Sequence, residues 1–242
     1  MKAQYFGDVN DYRKFALLRL LADVGRFKIG VCWLLTPDEG SKREYLKEPG
    51  VWRGFDPDLF DMLLEVDRGR PTSGLDRIEQ ANAVAGALFF NELTPGGAEA
   101  RQSFHKGCMK ALAAADLVFF DPDNGLATDA GKPGSANARK YVRLEEIADH
   151  YAAGSSVLVY QHFPRVERTS FLESVAGRLR AQCDGAAVIA FPTAHAAFLL
   201  VARPEHTERV EAVRAAVAGR MVPGLFDGAK TLVADGLNAI VP

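Results

Sequence analysis

Two acids and an amide stand directly after an apolar burst: Asp121-Pro122-Asp123-Asn124-Gly125 follows Leu117 to Phe120 (LVFF). A strand that delivers a carboxylate at its carboxyl end sets it on the rim of an open α/β sheet, where ligands bind. Pro122 stiffens the exit from the strand, and Asn124-Gly125 is a turn signal that tolerates positive φ. Asp121, Pro122, Asp123 and Asn124 are therefore candidate catalytic residues. Asp121 and Asp123 also read as candidate ligands for Mg²⁺ or Mn²⁺, since carboxylate oxygens suit those hard cations. A turn with two solvated acids, expected to be exposed, uses the same letters; on that expectation Asp121→Ala costs little stability.

A second strand-end group is Tyr160-Gln161-His162-Phe163-Pro164-Arg165, after Ser156 to Tyr160 (SVLVY). His162 is the one histidine at such a strand end, and an imidazole with an ordinary pKa of about 6.5 suits general acid–base work. An exposed loop histidine is the plainer reading. The remaining histidines, His105, His150, His195 and His206, make no metal-ligand spacing of the HxxxH kind. A third group, Gly7-Asp8-Val9-Asn10-Asp11-Tyr12-Arg13-Lys14, opens a helix. Its N-terminus offers backbone N–H groups, and Asp11 and Lys14, three apart, share a helical face. A capping box with a surface ion pair accounts for it equally. Weaker candidates are Trp33, Thr36 and Asp38 around the end of the first strand, Lys140-Tyr141, and Arg101 to Lys106. Lys132, Arg139, Lys140 and Arg143 offer a local positive face or a solvated helix edge.

The elements that must position these residues alternate. Residues 8–25 read as an N-cap at Asp8, a helix and a C′ glycine at Gly25. Residues 28–35 (KIGVCWLL) are a strand buried on both faces. Helices are expected over 56–68, with Pro57 in the first turn, then over 98–114, 139–153, 166–182 and 205–219. Strands are expected over 87–93, 117–120, 156–160, 186–191 and 197–202. Pro192 to Ala196 is too short for a crossover helix, so the last two strands form an antiparallel hairpin. The tail from Met221 has no regular pattern. This alternation predicts an α/β fold, a mostly parallel sheet of six to seven strands with an antiparallel last strand and helices on both faces. Residues 1–242 read as a single domain with an N-terminal helix and a C-terminal helical extension.

The whole-chain numbers fit that class. The 242 residues carry 29 Lys+Arg against 31 Asp+Glu, a formal charge of −2, with 48% hydrophobic and 25% charged residues. That mixture excludes disordered, collagen-like and coiled-coil chains. Near-neutral charge removes the global footprint of a nucleic-acid binder and leaves only a local basic face for that role. Cys32, Cys108 and Cys183 are an odd count with no CxxC pair, as expected of reduced thiols in a cytoplasm. No run approaches the roughly 18 apolar residues of a membrane span, and Met1 to Lys14 lacks the apolar stretch of a signal peptide.

Three spaced features resemble one family, the bacterial 23S ribosomal RNA adenine-N6 methyltransferases. Gly7-x-x-x-Asp11-x-x-Lys14 before an apolar helix resembles their G-N-x-A-D-x-x-K-H opening. Asp121-Pro122 after LVFF resembles the D-P-P-Y motif of amino-group methyltransferases, and Tyr160 to Pro164 sits where the family carries a tryptophan–tyrosine–proline segment. The GDVNDYRK, TPDEG and DPDNG signatures suit a divergent branch. The resemblance implies a Rossmann-like three-layer sandwich, S-adenosylmethionine as cofactor and nucleic acid as partner. It implies that Asp121 and the Pro122 carbonyl hold the base amino group. It further implies that Gly7, Asp8, Asp11 and Lys14, with Thr36 and Asp38, help build the cofactor pocket. Three departures stand beside it: Asp123-Asn124 in place of Pro-Tyr, Phe15 in place of His, and no glycine-rich GxG turn after the first strand. A metal-dependent phosphoesterase or nuclease, with Asp121 and Asp123 on a divalent ion and His162 as base, is a second expectation. A non-catalytic binding protein on the same fold is a third.

Overall fold

The computed structural model describes residues 7–37, 48–68, 74–127, 135, 137–219 and 226–232. Its strands are β1 (Ile29–Cys32), β2 (Leu88–Phe90), β3 (Leu117–Phe120), β4 (Gly125–Leu126), β5 (Tyr141–Val142), β6 (Ser156–His162), β7 (Ala187–Pro192), β8 (Ala196–Ala202) and β9 (Lys230–Leu232). Its α-helices are α1 (Val9–Asp23), α2 (Pro49–Trp52), α3 (Pro57–Arg68), α4 (Gly74–Gln80), α5 (Ala98–Ala111), α6 (Leu144–Ala152), α7 (Arg168–Arg180) and α8 (Thr207–Gly219). Seven strands form one sheet in the order β2-β1-β3-β6-β8-β7-β9. β2, β1, β3 and β6 run parallel, β8 is antiparallel between β6 and β7, and β9 is antiparallel on the edge of β7. The expected mostly parallel sheet with an antiparallel hairpin is thus what the chain builds.

Strand parity sorts the core. Val31, Phe119, Leu158 and Phe198 pack with α1, α3 and α8, whereas Cys32, Phe120, Val159 and Leu199 pack with α5, α6 and α7. Both faces of the sheet are covered, which is why the central strands read as unbroken apolar runs. Helix α1 is buried almost all round, packing on β1, α3 and α8. Gly25 ends it for a reason other than the expected left-handed C′ position: the positive φ, 57°, belongs to Arg26. A Cβ on Gly25 would lie 2.7 Å from the Leu21 carbonyl oxygen and 2.9 Å from Val213, so the glycine lets α8 close on the end of α1.

Four expectations change. The strand of 87–93 narrows to β2, with a single parallel bridge from Leu35 to Leu93 beyond it. The helix of 139–153 starts only at Leu144, because Ala138–Lys140 make a 3₁₀ turn and Tyr141–Val142 pair with β4. β6 runs on through Gln161 to His162, two residues past its apolar letters, since β8 keeps pairing with it. The irregular tail contains β9, too short to show a period, so the C-terminal part is not wholly helical. Among the described residues no helix is long and apolar enough to cross a membrane.

Candidate functional site

At the carboxyl edge of β3 and β6, under the first turns of α1, lies a cavity of about 310 Å³. Asp8, Asn10, Asp11 and Lys14 line it from α1, and Asp121, Pro122, Asp123 and Asn124 from the turn after β3. Lys140, Tyr160 and His162 complete the wall. The three sequence segments with candidate chemistry therefore meet in one hollow. Parity explains much of this: Phe119 faces α1, so Asp121, two residues on, does too, and Tyr160 and His162 follow Leu158 in the same way.

The floor is a buried ion triad. The Lys14 ammonium donates to Asp121 Oδ2 at 2.5 Å and to Asp11 Oδ1 at 2.7 Å, all three residues being 4% exposed or less. Trp33 at the end of β1 and Tyr160 on β6 flank the ammonium, with ring centroids 5.7 and 6.0 Å away. Desolvation alone would lower the Lys14 pKa, but Asp11 and Asp121 outweigh it and hold the ammonium above its ordinary value. Burial raises the Asp121 carboxyl above its ordinary value, against the pull of Lys14. The expected exposed Asp121 is thus corrected. α1 covers the strand end, and alanine there removes a buried charge partner rather than a solvated one.

Gln161, a residue with no candidate role on sequence grounds, fixes the turn. Its Oε1 accepts the Leu126 N–H at 2.8 Å, and its Nε2 donates to the carbonyls of Asn124 at 3.2 Å and His162 at 2.8 Å. The His162 N–H donates to the Asn124 carbonyl as well, at 3.3 Å. Gly125 sits at φ 115°, and a Cβ there would come within 2.5 Å of the Gln161 amide. Gly125→Ala is accordingly expected to cost about 1–3 kcal/mol through backbone strain and overlap. Urea unfolding checks it, and an unchanged midpoint would refute the packing argument. A β-strand Gln beside a turn glycine is the only sequence signal for this clamp.

The expected capping role of Asp8 is present. Its Oδ1 accepts from the N–H groups of Asn10 at 2.7 Å and Asp11 at 2.8 Å, while Asp11 Oδ2 accepts from Gly7 at 2.8 Å. Those donors are satisfied inside the chain, so carboxylates rather than N–H groups face the cavity from α1. Burial and the neighbouring Asp11 push the Asp8 carboxyl from its ordinary 3.8 up to about 6, although its own cap bonds and Lys14 pull it down. A raised folded-state pKa means that the protonated form is favoured by folding. The contribution is full below about pH 4 and lost as pH rises through 6. Asp8→Asn keeps the cap and removes the titration. Its melting temperature, relative to the wild type, is therefore expected to rise between pH 4 and 7. A constant difference across that window would contradict the assignment.

His162 stands on the exposed rim, with its Nε2 3.4 Å from the Tyr160 hydroxyl and ring centroids 5.0 Å apart. Desolvation against Tyr160 lowers its pKa, opposed by Asp121 and Asp123. It is a strand residue, not a loop residue as the sequence suggested.

Other candidates fall beside the cavity or outside it. Thr36, 4% exposed, does not line it but donates from Oγ1 to Asp123 Oδ2 at 2.7 Å, tying the end of β1 to the turn. Gly7 is one step behind the wall, and Asp38 and Lys132 lie outside the described residues. Trp33 is core: its Nε1 donates to Glu79 at 2.8 Å and its ring stacks on Phe89. Arg101, 1% exposed, pairs with Glu146 at 2.5 Å and donates to the Tyr141 carbonyl at 3.2 Å. The Asn124 N–H donates to the Lys140 carbonyl at 3.0 Å, so β5 carries Lys140 to the cavity and Arg101 braces it. Of the anticipated positive face, Lys140 alone among the described residues lines the hollow. Among the described residues no group of three or more His, Cys, Asp or Glu side chains could hold a metal ion. Asp121 and Asp123 are instead engaged by Lys14 and Thr36. All three cysteines are free and buried.

No protein-family model, curated protein or solved structure matches the chain.

Proposed function

We propose that this chain is an S-adenosylmethionine-dependent methyltransferase that modifies an amino group of a nucleic-acid base. The observation that carries the reading is the Lys14–Asp121 pair, which joins two motifs 107 residues apart at the floor of the cavity. A mostly parallel seven-stranded sheet with β8 inserted antiparallel between β6 and β7 supports it at the level of fold. The donor set suits the cofactor in charge: four carboxylates (Asp8, Asp11, Asp121, Asp123) face the cavity against two ammonium groups (Lys14, Lys140), and the sulfonium and α-ammonium of the cofactor outweigh its one carboxylate, leaving it cationic. A cavity of about 310 Å³ lies at the small end of the range of about 300–1,000 Å³ for ligand pockets. Trp33 to Thr36 follow β1 in place of a GxG turn, with Leu34 at φ 47°.

In this reading Asp8, Asn10 and Asp11 hold the cationic end of the cofactor, which supplies an electrophilic methyl group when bound. Asp121 and the Pro122 carbonyl accept the hydrogens of the substrate amino group and so aim its lone pair outward. Lys14 favours the anionic form of Asp121 against its burial and holds it in place. Tyr160 and His162, whose rings meet edge to face, give the base an aromatic wall in place of the stacking ring that Asp123-Asn124 removes from the turn. His162, with its pKa lowered by desolvation, is neutral at pH 7 and takes the proton at Nε2 that the methylated nitrogen releases.

Thermal melting with ~1 mM S-adenosylmethionine tests the cofactor, and transfer of a labelled methyl group to RNA tests the reaction. A rise in melting temperature with label on the nucleic acid is the expected result. No rise at that concentration overturns the reading. A rise with Mn²⁺ alone, lost in Asp121→Asn/Asp123→Asn, would put a metal-dependent phosphoesterase or nuclease in its place. No rise with either ligand would leave a binding protein on this fold.

A further inference from the structure

The floor of the cavity is acidic, but one lip is not. Beyond His162 the chain runs exposed from Pro164 to Ser170 into the start of α7, carrying Arg165, Val166 and Arg168. Val166 is 58% exposed, one of three large apolar side chains so exposed among the described residues. The Arg168 guanidinium lies 5.2 Å from the ring centroid of half-buried Phe163, whose own N–H donates to the carbonyl of exposed His195 at 3.2 Å. The acid within this run, Glu167, is spent on the helix: its carboxylate caps α7 by accepting from Thr169 and Ser170 at 2.9 and 2.7 Å. Among the described residues neither Arg165 nor Arg168 forms an ion pair. Two guanidinium groups without an ion pair, one of them over an aromatic ring, and two exposed imidazoles thus lie along or beside the chain that leaves the cavity wall at His162.

We infer that this β6–α7 connection is the docking rim for an unpaired polynucleotide strand, whose backbone phosphates engage Arg165 and Arg168 while one base turns into the cavity. The inference rests on the methyl-transfer reading for what happens inside the cavity, but not for the rim itself. Its physical basis is the separation of sign. Phosphates are drawn to the guanidinium groups and kept from the carboxylates, whereas a base presents neutral N–H donors that carboxylates accept. The strand is unpaired because an exocyclic amino group is held inside a duplex stack, and the exposed imidazoles of His162 and His195 offer faces on which unstacked bases rest.

Fluorescence anisotropy of the full chain with a labelled single-stranded RNA oligonucleotide tests the rim, comparing the wild type with Arg165→Glu/Arg168→Glu and with the milder Arg165→Gln/Arg168→Gln. Charge reversal is expected to weaken binding by about tenfold or more. Loss of two phosphate contacts should flatten the plot of log affinity against log salt by about 1.4, at roughly 0.7 per contact for a single strand. Melting temperature without ligand, and its rise with S-adenosylmethionine, should be unchanged in both variants, because neither arginine lines the cavity. Equal affinity or an equal salt slope in the variants would overturn the rim, and so would tighter binding to the matching duplex. If the wild type shows no cofactor shift but strand binding still depends on the two arginines, the rim stands and methyl transfer falls. A cofactor shift with arginine-independent strand binding would remove the rim and leave methyl transfer standing.

Discussion

Replacing Lys14 with methionine is expected to lower the unfolding free energy by roughly 3–5 kcal/mol, the largest single loss at the cavity. The side chain is nearly isosteric, so packing against Trp33 and Tyr160 changes little. What changes is charge: Asp11 and Asp121, 4% and 2% exposed, would lose the ammonium that bonds to both. A buried carboxylate that loses its ammonium partner resists ionisation, so the Asp121 pKa, already raised by burial, climbs further. The variant therefore regains stability as pH falls and loses it as pH rises, which distinguishes a charge defect from a packing defect. Equilibrium urea unfolding at pH 5 and pH 8 provides the measurement. A loss below about 1 kcal/mol at pH 8 would mean that the triad is effectively solvated. Adding Asp121→Leu to Lys14→Met should recover part of the loss, because one of two adjacent buried carboxylates is removed.

Asp121→Asn is expected to separate stability from chemistry. Lys14 keeps Asp11 at 2.7 Å, so one ammonium and one carboxylate remain paired and the fold loses less than in Lys14→Met. On the proposed reading, however, the acceptor amino group loses the anion that orients it. Removal of one such preorganised electrostatic group costs about 10²–10³-fold in turnover. Labelled-methyl transfer under saturating cofactor is the assay, with the cofactor-induced melting shift as the control for binding. Undiminished turnover would take Asp121 out of the reaction. A lost melting shift would move its role from the acceptor to the cofactor. The pairing of the two variants is informative: Lys14→Met should injure the fold most, Asp121→Asn the reaction most.

Much of this site was legible from letters alone. An apolar run followed by an acid placed Asp121 at a strand end, and an Asp before a helical pattern placed Asp8 as an N-cap, because both follow from local rules of strand parity and backbone capping. The same parity puts Tyr160 and His162 on one face. Burial was not legible. Whether Asp121 meets water depends on α1, a helix 107 residues earlier, and the spacing of Asp11 and Lys14 is equally good for a surface ion pair. Nor was Gln161, whose clamp on Gly125 exists only because β8 extends β6 past its apolar residues.

The α/β class, the antiparallel hairpin and the identity of the strand-end acids are all written in nearest-neighbour periodicity, so the letters alone specify them. Which of those acids became buried partners of one lysine, and which arginines stayed in water at the lip, was settled by the folded chain. Desolvation and charge pairing depend on what lies across space, and neighbouring letters do not encode that distance.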